Sequence, residues 1–239
     1  MTMKKTITVL VCMVFLAGCG GSLKNTREER TAHELADAGM THFANGDYKK
    51  AIAAFENLRD WYPFSDLAEL AELKIADSYF QRKQYPEAIA EYESFKSLHP
   101  RNRAMPHVFY RIALSYYRQI RTVDRDQGST KLAIESFEEL NRRFPDHPYR
   151  DVGKYIRKCR SDMAENIFYI GSHYFKAKRY EAAMVRFQSI LDDYKDILPT
   201  LGKARHFINV SKSLIKERDA EEALKKKEEK EKVKGSSGS

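Results

Sequence analysis

Four segments of the sequence repeat one another, and that periodicity constrains the fold more than any other feature. Each carries a small residue, an aromatic four places on and an apolar residue three beyond that. The sets are Ala51, Phe55 and Leu58; Ala88, Tyr92 and Phe95; Ala133, Phe137 and Leu140; and Ala183, Phe187 and Ile190. Steps of four and three keep all three positions on one face of an α-helix. Pro63, Pro100 and Pro145 follow the first three sets, and Lys195 stands where the fourth proline belongs. Twelve residues upstream of the first, second and fourth sets lies another small residue: Gly39, Ala76 and Gly171. In the third set the match is Ala113, displaced by eight extra residues.

Each position has a physical task. Small residues on facing helices let the two arms of a hairpin, A and B, approach closely. Tyr48, Tyr85 and Tyr180, just after the expected turns, are predicted to fill the wedge between neighbouring hairpins. Proline closes helix B, since it lacks the amide donor and disfavours the α region for its predecessor. Asn45-Gly46-Asp47 reads as the first turn, with glycine free to take positive φ. No such hairpin buries its apolar face alone, so stacking must supply a continuous core. In spacing and residue type these are tetratricopeptide repeats. Only 11 Gly and 7 Pro in 239 residues argue against disorder and against an all-β fold.

The expected fold is therefore an all-α, right-handed α-solenoid of about five hairpins over residues 29–215. Units are placed at about 32–65, 69–102, 106–147 and 149–198, with a degenerate fifth at 200–215. The step from Ala51 to Ala88 exceeds the usual period by three residues, accommodating Phe64-Ser65-Asp66. A polar loop, Arg121 to Gly128, interrupts the third pair, and a long helix is predicted from about Tyr149 to Ala177. Residues 216–239 form a charged tail, polar all round and so a solvated helix at most; Gly235 to Ser239 reads as a flexible end.

The first 18 residues are set aside as a secretory leader. Lys4 and Lys5 precede an apolar run from Ile7 to Leu16, too short for the roughly 20 residues that span a bilayer but suited to a signal h-region. It ends in Leu16-Ala17-Gly18-Cys19, which resembles the bacterial lipobox. The resemblance implies that the Cys19 sulfur takes a diacylglycerol, that the chain is cut before it, that the new amine is acylated, and that residues 19–28 tether the array to the bilayer. Three acyl chains exceed what stable anchoring needs. Gly20, rather than aspartate, after the cysteine implies the periplasmic face of the outer membrane. Cys12 then leaves with the leader, and Cys159 alone remains, so no internal disulfide is expected. Loss of Lys4 and Lys5 takes the formal net charge from +8 to +6. In an exported protein such charge suits anionic headgroups or acidic proteins rather than nucleic acid.

Nothing in the sequence assembles a catalytic or metal constellation. The seven histidines are scattered, and no pair lies at i, i+4 with a third ligand in reach. Gly171-Ser172-His173 shares its helical register with Ala76-Asp77-Ser78 and Ala113-Leu114-Ser115, which marks a packing unit. No phosphate-cradling glycine loop occurs, because Gly18, Gly20 and Gly21 belong to the lipobox and the tether after it. The expectation is a binding protein with no cofactor, no metal and no enzymatic activity. In such arrays the A helices line the concave face, and one A-helix position is aromatic in all four units: Phe43, Phe80, Tyr117 and Phe175. These rings either complete the packing between hairpins or floor a groove for an extended peptide, as low-entropy anchors.

At this point the pattern resembles one family, the BamD lipoproteins of the outer-membrane β-barrel assembly machine. Leu16-Ala17-Gly18-Cys19, Tyr62-Pro63-Phe64-Ser65, Phe95 to Pro100 and, most discriminating, Val123-Asp124-Arg125-Asp126-Gln127 carry the resemblance. It implies a scaffold that binds BamA periplasmic domains and unfolded outer-membrane barrel precursors, with other assembly-machine lipoproteins as further partners. It favours Phe43 and Phe80 as the peptide-facing pair. Arg186 matches the family arginine that pairs with an acidic residue of BamA, a role suited to a guanidinium's two parallel hydrogen bonds. The alternative is another periplasmic repeat lipoprotein, such as a type IV pilus pilotin or an envelope-enzyme adaptor.

Overall fold

The computed structural model describes residues 30–236, with side chains to 232. The expected leader (1–18), Cys19, the tether (19–28) and the last three residues lie outside the described residues. Nine helices occur among those described: α1 Ala32–Ala44, α2 Tyr48–Trp61, α3 Ala68–Gln81, α4 Tyr85–Leu98, α5 Met105–Arg118, α6 Gly128–Arg143, α7 Val152–Lys176, α8 Tyr180–Asp193 and α9 Leu198–Ser236. Each packs on its neighbours in sequence, and α7 also touches α9. The result is an all-α stack of hairpins α1/α2, α3/α4, α5/α6 and α7/α8, closed by α9.

Thr31 starts the array. Its hydroxyl accepts from the Glu34 amide at 3.3 Å, and its own amide donates to the Glu34 carboxylate at 2.7 Å, a reciprocal cap that satisfies two otherwise orphaned donors. Within each hairpin the repeat positions meet as their spacing requires. Ala51, Phe55, Ala88, Tyr92, Ala133, Phe137, Ala183 and Phe187 are all fully buried. At Gly39 an added Cβ would lie 2.6 Å from Cε1 of Phe55, and at Gly171 it would lie 2.6 Å from Cε1 of Phe187. Glycine is required there by close approach.

The tight turns share one backbone solution. Gly46, Lys83 and Lys178 adopt φ of 77°, 60° and 59°. The next amide, of Asp47, Gln84 or Arg179, reaches back to the carbonyl of His42, Tyr79 or Tyr174 at 2.8, 3.0 and 2.9 Å. This is a Schellman closure, which favours glycine at the positive-φ position. Two hairpins place lysine there at a conformational cost. Tyr48, Tyr85 and Tyr180 pack at the turns of their own hairpins, and Tyr48 also borders a pocket with Arg82 of the second hairpin. Each meets, edge to face, the ring just before its own turn: Phe43 at 5.4 Å, Phe80 at 5.6 Å and Phe175 at 5.4 Å. The Schellman turn brings helix B straight back along helix A, which sets the tyrosine against the ring five residues earlier.

Helix α8 ends without a proline in the same register as α2, α4 and α6. Arg160 of α7 supplies the stop: it donates to the Asp193 carbonyl at 2.8 Å, grips the Asp196 carboxylate through both Nε and Nη2, and lies 5.2 Å over Tyr194. The 25-residue α7 serves two hairpins. Its first half, with Val152 and Cys159, joins the core of α3 to α6, while its second half packs with α8 and α9. Helix α9 is continuous across residues 215 and 216, where a fifth unit was expected to give way to the tail. What changes along it is burial: Thr200, Ala204, Ile208 and Ser211 are buried, and residues beyond are not. Arg218 still reaches Glu181 of α8 at 2.6 Å, so docking extends a turn past that point.

Candidate functional site

The A helices place Phe43, Phe80, Tyr117 and Phe175 at equivalent points, and all four are half-buried. Phe43, Phe80 and Phe175 lock against the tyrosines of their own turns. Phe175 also meets Phe207 of α9 at 5.0 Å. Tyr117 has no turn tyrosine, because a long loop replaces the tight turn, and it packs on Tyr155 of α7 at 4.6 Å. The first two rings are each covered by a cation from the next A helix. Lys74 Nζ lies 4.7 Å from the Phe43 centroid, and the Arg111 guanidinium lies 4.4 Å from that of Phe80. Lys74 and Arg111 stand two residues before Ala76 and Ala113, a regularity visible in the sequence once the repeats are aligned. The first two rungs are thus a ladder of ring and cation linking successive hairpins, and all four rings of the row stay partly exposed. Such a surface suits an extended chain bearing aromatic side chains and carboxylates.

Beneath the second and third hairpins lies a polar cluster that sequence reasoning missed. Asp77 is buried. Its Oδ1 accepts from the Tyr92 hydroxyl at 2.6 Å and pairs with His107 Nε2 at 2.9 Å, while Oδ2 accepts from Lys74 Nζ at 3.0 Å. Burial pushes this carboxyl up, but His107, Tyr92 and Lys74 together outweigh it and hold the group well below the ordinary carboxylate range. The same burial and the Asp77 charge push the Tyr92 phenol well above its usual value. Asp77 therefore stays ionised and clamps α3, α4 and α5 together.

The Asp124-Arg125-Asp126 loop is internally braced. Gln127 Nε2 donates to the carbonyls of Thr122 and Arg125 at 3.1 and 3.0 Å, and Asp126 accepts from the Gly128 amide at 3.0 Å. Asn166 of α7 holds the Val123 carbonyl at 2.5 Å. Between this loop and α7 lies an open groove of about 640 Å³, bordered by Tyr117, Ile120, Lys158 and Asp162.

Arg186 is exposed on α8, and its guanidinium pairs with no described side chain. Elsewhere on α8, facing α9, runs a groove of about 650 Å³ lined by Met184, Val185, Ile208 and Ile215 together with Glu181, Asp192 and Lys212. Val185 is 68% exposed. An exposed guanidinium with no described partner is equipped to pair with a carboxylate on another protein's surface.

Ser172 and His173 do not pair as nucleophile and base. The Ser172 hydroxyl donates to the Phe168 carbonyl at 2.8 Å, within its own helix, and His173 turns to Tyr169 at 4.6 Å. Burial pushes the Cys159 thiol up to about 12, which keeps it protonated and inert. Among the described residues no group of three His, Cys, Asp or Glu is placed to hold a metal ion.

The fold and these surfaces can be set beside known proteins. The model of a family described as YfiO, outer membrane lipoprotein, matches residues 28–231, which is the whole array and most of the charged stretch of α9. The chain belongs to this family. Curated relatives of this YfiO-family chain include the outer membrane protein assembly factor BamD of Rickettsia prowazekii, 31% identical over 188 residues, covering 78% of this chain and 75% of that protein. BamD of Caulobacter vibrioides is 28% identical over 194 residues, covering 80% of this chain and 64% of that one. BamD of Pasteurella multocida is 26% identical over 225 residues, 87% of this chain and 86% of the other. No helix among the described residues is long and apolar enough to cross a membrane.

Proposed function

We propose that this YfiO-family protein is an outer membrane protein assembly factor, held at the periplasmic face of the outer membrane by an acylated Cys19. It acts as a scaffold and not as an enzyme. The family match over residues 28–231 carries the reading, and relatives described as assembly factors over most of their length support it. In this reading the face of α8 with Arg186 receives a BamA periplasmic domain. The ring-and-cation ladder at Phe43 and Phe80 receives unfolded barrel precursors, with Tyr117 and Phe175 extending the row. The braced Asp124–Asp126 loop, part of the resemblance, favours this over a pilotin or an envelope-enzyme adaptor. Affinity purification of the chain after mild crosslinking in its native envelope tests the proposal. Recovery of a BamA-type barrel is expected, and recovery of a pilus secretin without any such barrel would overturn it.

A further inference from the structure

Phe64 is the most exposed large apolar residue described, at 100% exposure, in the loop between α2 and α3. Trp61, in the last turn of α2, is 39% exposed. Between them Tyr62 turns inward, and its hydroxyl donates to the Arg30 carbonyl at 2.8 Å. The point where the chain joins the array is thereby fixed to the loop that carries Phe64. Arg30 is 11 residues from Cys19, a contour of at most about 40 Å. A lipid on Cys19 therefore keeps this edge of the array within about 40 Å of the bilayer surface.

The topology makes that edge continuous. In a stack of hairpins the B-to-A loops fall on one side, and the N-terminus of α1 lies there too. The loop after α4 carries Arg101 and Arg103, with Arg101 two residues after His99 as Phe64 is two after Tyr62, and Arg150 lies in the loop before α7. All three arginines are exposed and form no ion pair with a described residue. Asp66, Asp146 and Asp151 lie among them, so the edge carries both signs. Aromatic rings beside cations are the composition that settles at a headgroup interface, the rings entering the acyl boundary and the cations meeting lipid phosphates. A fully exposed phenylalanine next to the tether exit has no other contact to gain on the array itself.

We propose that this edge is a membrane-contact surface. Phe64 and Trp61 insert at the interface of the leaflet that holds the lipid anchor, so that the first hairpin is oriented against the bilayer instead of swinging on its tether. The proposal rests on acylation of Cys19. Trp61 is the chain's single tryptophan, so its emission reports on this edge alone. The acylated full chain is reconstituted in phosphatidylethanolamine and phosphatidylglycerol vesicles, with and without lipids brominated high in the acyl chain. Brominated lipid should quench Trp61, and Phe64→Glu should relieve most of that quenching while flotation and helical content stay unchanged. If the protein floats with the vesicles and mass spectrometry shows an acylated Cys19, yet Trp61 emission ignores the bromines, the membrane contact is refuted while the anchor stands. An unmodified Cys19 would overturn the anchor, and the contact with it.

Discussion

Gly39 and Phe55 occupy a space that admits only one of a methyl and a ring edge: a Cβ on Gly39 would stand 2.6 Å from Phe55 Cε1, with Phe55 fully buried. Gly171 and Phe187 repeat the relationship in the fourth hairpin. Overpacking a core costs about 1–3 kcal/mol, and alanine's better helix propensity returns up to about 1 kcal/mol. Gly39→Ala and Gly171→Ala should each lower stability by roughly 1–2 kcal/mol on those terms. Gly153→Ala, exposed on α7 with only the Arg157 tip within reach at 3.5 Å, should be neutral or stabilising. Denaturant melts of the three variants check the contrast, and equal effects would refute the close approach.

Lys83 and Lys178 sit where the Schellman closure requires positive φ. Left-handed strain of roughly 1–2 kcal/mol exceeds the unfolded-chain freedom that glycine adds, about 0.4–1 kcal/mol. Lys83→Gly and Lys178→Gly should therefore each stabilise the array by roughly 0.5–1 kcal/mol. Gly46→Ala should lose a similar amount. Thermal melts showing no gain from either lysine replacement would contradict this.

Asp77 links stability to pH. Its folded-state value is depressed by His107, Tyr92 and Lys74 against the opposing push of burial, so its contribution is fully present above the ordinary aspartate value of about 4. It is lost as pH falls through the group's own lower value. Asp77→Ala at neutral pH strands Tyr92 and His107 and should cost about 3–5 kcal/mol, as for a broken buried pair. The Tm gap between wild type and Asp77→Ala should stay constant from pH 7 to the ordinary carboxylate range and narrow only in stronger acid. A gap that closes already at mildly acidic pH would show that Asp77 is not the ionised clamp.

The hairpin register was legible in the sequence because it is local. A small residue, an aromatic and an apolar residue at steps of four and three can face only one way on a helix, and Gly39 opposite Phe55 follows directly. What the sequence hid depends on distant partners or on strain. Arg160 replaces a missing proline from 33 residues away. Asp77 looked like one member of a small polar triplet, while its partners come from positions 92 and 107. Lysine is not a positive-φ residue, so the turns at Lys83 and Lys178 were readable only through the helix spacing around them. The aromatic row was legible as positions but not as contacts. Sequence cannot show that Phe43 meets both Tyr48 of its own turn and Lys74 of the next hairpin.

Arg186→Glu should weaken binding to a BamA periplasmic region while leaving helical content and Tm near wild type, because the side chain is exposed and pairs with no described group. Arg186→Lys should fall between, since it keeps the charge and loses the fork. A loss of about 2–5 kcal/mol would mark a buried pair, whereas a change mainly in association rate would mark a rim contact. Lys49→Glu, at an exposed position of α2, serves as the charge-matched control. Undiminished binding by folded Arg186→Glu would remove this residue from the interface.

The most direct measurement is controlled depletion of the chain in its native cell, followed by quantification of folded, detergent-resistant barrel proteins in the outer membrane. Depletion should lower folded barrels across several unrelated types and leave precursors unfolded in the periplasm, and wild-type expression should restore them. Cys19→Ala expressed at the same level should restore them less well. If folded barrel levels hold steady through depletion, with loss of the chain confirmed, the protein does not serve outer membrane barrel assembly.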